Sequence, residues 1–118
     1  MIDALPATDR RRVLAEFDNV ELEFADVLYN LEETLDHVYF PLGCFISLIM
    51  PIDGTSLEVG LVGSEGMFGI PLALGVDVSP VGAVVQGAGS ALRMGAASFR
   101  RELERSPALR RAIDRYAF

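Results

Sequence analysis

The chain changes its hydrophobic period twice. Between Pro6 and Phe17, apolar Val13, Leu14 and Phe17 form one edge of a helical pattern behind polar Thr8 and Asp9. Proline suits a first helical turn, so the spacing predicts a short helix over 6–17. From residue 20 the period shortens to two. Short β-type runs follow at 20–24 (VELEF), 26–30 (DVLYN), 37–41 (HVYFP) and 44–50 (CFISLIM), then, after the turn dipeptide Asp53-Gly54, at 56–63, 82–87 and 91–94. Within 56–63, Leu57, Val59 and Leu61 alternate with Ser56, Glu58 and Gly60, which predicts that the leucine and valine side is the buried one. Short strands divided by turn signals predict a mainly β domain, a sandwich or jelly-roll barrel.

The helical period returns at Ser106. Serine caps a helix, and proline at the first position lacks an N–H that would have no partner there anyway. Leu109, Ala112, Ile113 and Tyr116 then recur at spacings of three and four as one apolar stripe. No Gly, Asn or Pro closes this helix before Phe118, so the pattern suggests that it runs on past the last residue.

Composition narrows the class. With 118 residues, 51% of them hydrophobic, the chain is sized for one domain with a true core. Its longest apolar run, CFISLIMPI at 44–52, falls well short of the roughly 20 residues a bilayer span needs. The start, MIDALPATDRRRVLAEF, places charges where a signal peptide needs an apolar stretch. A cytoplasmic location and no membrane partner are expected. Net charge is −7 with no lysine, and the arginines gather at the two ends. An acidic body repels a phosphate backbone, so this segment is not expected to hold nucleic acid by itself. The terminal arginines read as the solvated face of a helix.

Candidate chemistry is sparse. His37 and Cys44, alone and apart, supply no metal-ligand spacing, so no metal or cofactor is expected. Cys44 has no basic neighbour to lower its pKa and reads as an inert core thiol. Glu32 and Glu33 sit among Asn30, Thr34 and Asp36 as an exposed acidic turn. One histidine does not make a Ser–His–Asp set, and the chain reads as no enzyme. What remains is GLVGSEGMFGIPLALG at 60–75, with glycines at 60, 63, 66, 69 and 75. No Gly-Lys-Ser/Thr follows it, and no βαβ pattern surrounds it, so it is neither a Walker loop nor a dinucleotide fingerprint. Taken alone, such glycines turn the corners of a tight barrel.

Order and motifs together point further. A short helix, an eight-stranded roll, a Gly-rich turn with the short helical PLAL, two strands and a long C-terminal helix resemble the cyclic-nucleotide-binding domain of Crp/Fnr-type transcription regulators. The matching phrases are DVLYN, HVYFPLG, EVGLVGSEGMFGIPLALG and RSPALRRAIDRYAF. The likeness covers nearly the whole chain. It implies a double-stranded β-helix (jelly roll) with a short N-terminal helix and a C-terminal dimerisation helix. In nucleotide-binding members the Gly-rich turn and short helix form a phosphate cassette. A glutamate after the turn holds the ribose, and an arginine about ten residues on, followed by a small hydroxyl residue, holds the cyclic phosphate. Carried over, Gly69 is the turn glycine, Ile70 stands at the glutamate position, Val81 at the arginine and Gly82 at the hydroxyl. Pro71 also removes a backbone donor.

The resemblance therefore implies a degenerate site at Gly69, Ile70, Pro71, Val81, Gly82 and Ala83 that does not bind cAMP. Whether it holds a less anionic effector of unidentified chemistry or is filled by side chains stays open. The resemblance also implies a homodimer through Leu109, Ala112, Ile113 and Tyr116, and DNA binding by a helix-turn-helix domain beyond residue 118. The expectation is that residues 1–118 form the sensor and dimerisation domain of a longer regulator. The alternative is a freestanding effector-binding or protein-interaction module.

Overall fold

The computed structural model describes residues 1–117. A 3-10 turn at Ile2–Ala4 precedes helix α1 (Ala7–Leu14), which Pro6 caps by accepting the Arg10 amide at 2.8 Å. The helix ends three residues earlier than its pattern suggests. Val13 is fully buried and Phe17 packs edge-on against Phe40 with ring centroids 5.2 Å apart, while Leu14 faces outward.

Seven strands follow among the described residues: β1 (Asp18–Leu22), β2 (Val27–Tyr29), β3 (His37–Pro41), β4 (Phe45–Ile52), β5 (Thr55–Val62), β6 (Gly82–Gly87) and β7 (Gly89–Gly95). They form two antiparallel sheets, β1-β7-β3 and β2-β6-β4-β5, whose buried faces share one core. β3 carries its run of apolar side chains into that core, and Val38, Ile46, Val85, Ala91 and Met94 meet there. Two isolated bridges, Thr34 to Val78 and Tyr39 to Phe68, continue the roll where no full strand forms. The mainly β jelly roll expected from the strand spacing is the observed fold.

The β4–β5 hairpin departs from expectation. Its Asp53-Gly54 turn forms with φ of 50° and 78°, the left-handed pair that a tight two-residue hairpin requires. Yet Leu57, Val59 and Leu61 are 51%, 52% and 50% exposed, and in β5 it is Val62 that reaches the core. The reason is position. β5 is the edge of its sheet, paired on one side to β4, and a bulge at Leu48/Ile49 interrupts the alternation.

Two helices close the chain, α3 (Ala96–Arg105) and α4 (Pro107–Ala117), with the short α2 (Ile70–Ala73) between β5 and β6. The sequence pattern starts a helix at Ser106 and gives α3 no bounds of its own; the structure shows α3 as a separate helix before that start. There the serine hydroxyl accepts the Leu109 amide at 3.1 Å, the cap that the pattern predicts, and donates to Asp9 at 2.7 Å. Among the described residues, no helix is long and apolar enough to cross a membrane.

Candidate functional site

Past β5 the chain turns at 63–66 and is pinned by Phe68, which exchanges backbone hydrogen bonds with Tyr39 at 2.8 and 3.0 Å. It then reverses at Gly69. That residue has φ 115°, and a Cβ there would stand 2.6 Å from Val38 Cγ1, so both conformation and space demand glycine. α2 starts immediately after. The returning loop is stitched to the 32–35 turn by Ser79 N–H to Glu33 O (2.8 Å), Glu32 N–H to Ser79 O (2.7 Å) and Leu35 N–H to Asp77 O (2.8 Å).

Between these segments lies a cavity of about 230 Å³. Gly69, Ile70, Pro71 and Val81, four of the six residues carried over as cassette, line it together with Leu48 and Met67. The other two do not. Gly82 opens onto a separate groove with Val27 and Ile49, where a Cβ would stand 2.9 Å from Ile49 Cγ1; Ala83 is fully buried. Strand alternation explains Gly82, which faces the opposite side from Val81; Ala83 returns to the side of Val81 but is packed over completely.

The cavity is almost entirely apolar. No arginine or histidine and no carboxylate is among the described residues that line it. Its two side-chain hydroxyls are those of Ser79, whose proton is donated to Val81 O at 2.6 Å, and Tyr116. Burial pushes the Tyr116 phenol above its ordinary pKa, with the Met67 backbone opposing the shift, so it stays protonated at neutral pH.

Tyr116, placed on the α4 stripe by the sequence pattern, also borders this cavity. It is 39% exposed, and its ring lies over Gly66 and against the cavity, beside the Gly-rich turn. Its three companions on the expected dimer stripe face inward. Leu109 (1% exposed), Ala112 and Ile113 are buried within this chain. Leu109 and Ile113 belong to its own core, so their stripe holds α4 onto the rest of the domain. A Cβ on Gly66 would collide with the Tyr116 phenol. Gly66 has no left-handed φ, so Gly66→Ala is expected to fold normally and expel the ring. A changed Tyr116 ring environment by NMR, with a melting temperature shifted by no more than a few degrees, checks this.

The remaining polar groups are structural. The Tyr29 hydroxyl donates to the Asp36 carboxylate and accepts the His37 amide at 3.0 Å, while His37 Nδ1 lies 3.1 Å from the same carboxylate. The Tyr29 and His37 hydrogen bonds hold Asp36 below the usual carboxylate range. Burial pushes the Cys44 thiol up, away from reactivity. Glu33 accepts the Asn30 amide at 3.1 Å, closing the acidic turn. Among the described residues, no three His, Cys, Asp or Glu side chains gather as a metal site.

No protein-family model matches the sequence, and no curated protein does. Solved structures match it well. The catabolite activator protein of Thermus thermophilus superposes with a TM-score of 0.81 at 14% identity over 97% of this chain and 54% of its own. The N-terminal domain of a transcriptional regulator from Streptomyces coelicolor gives 0.78 at 18% identity over 96% of this chain and 80% of its own. The regulatory domain of Toxoplasma gondii PKA, solved with cAMP, gives 0.76 at 18% identity over 84% of this chain. The fold is that of a cyclic-nucleotide-binding domain. This chain spans only 38% of the Toxoplasma protein chain, about half of the Thermus one and most of the Streptomyces domain. Its structural neighbours are regulatory proteins rather than enzymes. The cyclic-nucleotide-binding fold here encloses an uncharged cavity.

Proposed function

We propose that this chain is the sensor domain of a Crp/Fnr-like transcription regulator whose cassette no longer takes a cyclic nucleotide. One observation carries the reading: Ile70 and Val81 line one apolar cavity, at the positions where the resemblance implies a glutamate and an arginine. A cyclic phosphate held there would be desolvated with no guanidinium to meet it. DNA binding belongs to a further domain of the regulator. Homodimerisation through α4 would use the side left free by the core, which carries Arg111 and Arg115. Arginine facing arginine contributes repulsion rather than burial, so this chain alone pairs weakly.

Calorimetry with cAMP and cGMP tests the reading. Losing a bidentate charge-assisted pair weakens binding by about 2–5 kcal/mol, so no heat of binding is expected at micromolar ligand. The double variant Ile70→Glu, Val81→Arg restores the missing partners and is expected to gain measurable cAMP affinity. Micromolar cAMP binding by the unaltered chain would overturn the reading.

A further inference from the structure

The cavity is too large to be a packing defect and has the wrong chemistry for an ion. Its volume of about 230 Å³, partly open to solvent, is lined by Leu48, Met67, Ile70, Pro71 and Val81. An apolar cavity of about 150 Å³ stays dry and accepts benzene, whereas drug-sized sites begin near 300 Å³. Scaling between these limits gives an occupant of roughly nine or ten heavy atoms.

Charge narrows the class. An anion would meet no cation among the described residues of the lining and a protein of net charge −7 around it. A cation would meet no carboxylate among the described residues there. The polar groups on offer are neutral: the Ser79 oxygen, whose proton is already donated to Val81 O, and the protonated Tyr116 phenol. One acceptor and one hydroxyl suit a ligand with a single uncharged polar group, since more would be buried without partners.

We propose that the cavity beneath the Gly69 turn binds a compact, uncharged hydrophobic molecule, an aromatic or branched aliphatic skeleton of about ten heavy atoms with at most one hydroxyl or carbonyl group. Ile70 and Val81 set this preference, because each supplies apolar surface where a charged ligand needs a polar partner. The proposal rests on the cassette having lost its phosphate chemistry and names what took its place.

The test uses the 118-residue chain with naphthalene, naphthol, naphthoate and cAMP as probes, read by methyl NMR at Met67 and Ile70. Naphthalene and naphthol are expected to shift these methyls with dissociation constants below about 100 μM, and naphthoate to bind at least about tenfold more weakly. Val81→Phe, which fills the cavity from its partly exposed wall, is expected to abolish the naphthol response while keeping the native spectrum; Ile70→Phe serves if that variant does not fold. Methyls unmoved by both neutral probes overturn the proposal. So does naphthoate binding as tightly as naphthol, or naphthol binding that survives the filling variants. Binding of cAMP, by contrast, overturns the loss of the phosphate site on which the proposal rests, whatever the neutral probes do.

Discussion

Leu109→Asp is expected to unfold the domain rather than release a folded monomer. Leu109 is 1% exposed and packs with Phe99 and Ile113 in the core. Truncating such a leucine to alanine costs about 2–5 kcal/mol, and aspartate adds a carboxylate buried without a partner. The sum exceeds about 5 kcal/mol, a large share of the 5–15 kcal/mol that holds a domain together. Circular dichroism at 37 °C is expected to show lost β-structure. The exposed control Arg111→Asp should stay within about 0.5 kcal/mol of the parent. Were Leu109 a dimer contact instead, Leu109→Asp would keep its melting temperature and change only its sedimentation.

Arg12→Ala is expected to have the next largest effect, through a contact between residues ninety positions apart. Arg12 Nε donates to Glu102 Oε2 at 3.0 Å, and the glutamate side chain is 0% exposed. Its other oxygen has no hydrogen-bond partner, and Arg105 stands off at 3.6 Å. Removing the guanidinium leaves a buried carboxylate almost alone, which costs about 3–5 kcal/mol. With Arg105 still near, the low end applies, a fall in melting temperature of about 10–15 °C. Adding Glu102→Gln should recover part of the loss, and replacing both residues by Met and Leu should recover most of it. A Glu102→Gln change that lowers the Arg12→Ala variant further would show that the pair is not the cause. The contact has a structural purpose. With the Ser106–Asp9 hydrogen bond, it ties α1 to the joint between α3 and α4, and so sets the path by which α4 carries Tyr116 to the cavity.

The sequence by itself determined the local conformations. Short β-type runs mark β3 at 37–41 and β6 at 82–87 to the residue, Asp53-Gly54 marks the hairpin turn, and Ser106-Pro107 marks the start of α4. Each is a decision a few neighbouring residues make through sterics and near hydrogen bonds. The apolar character of Ile70 and Val81 was legible for the same reason: they are apolar wherever the chain puts them. Only the tertiary structure decided which apolar faces are covered, and by what. The alternation in β5 is real, yet Leu57, Val59 and Leu61 lie half in solvent because that strand is an edge. The stripe on α4 is also real, and its Leu109 and Ile113 pack into the domain's own core. The Arg12–Glu102 pair and the approach of Tyr116 to Gly66 likewise depend on segments far apart in sequence. Periodicity says that a face is apolar; what buries it is set by long-range packing, which no local window of residues contains.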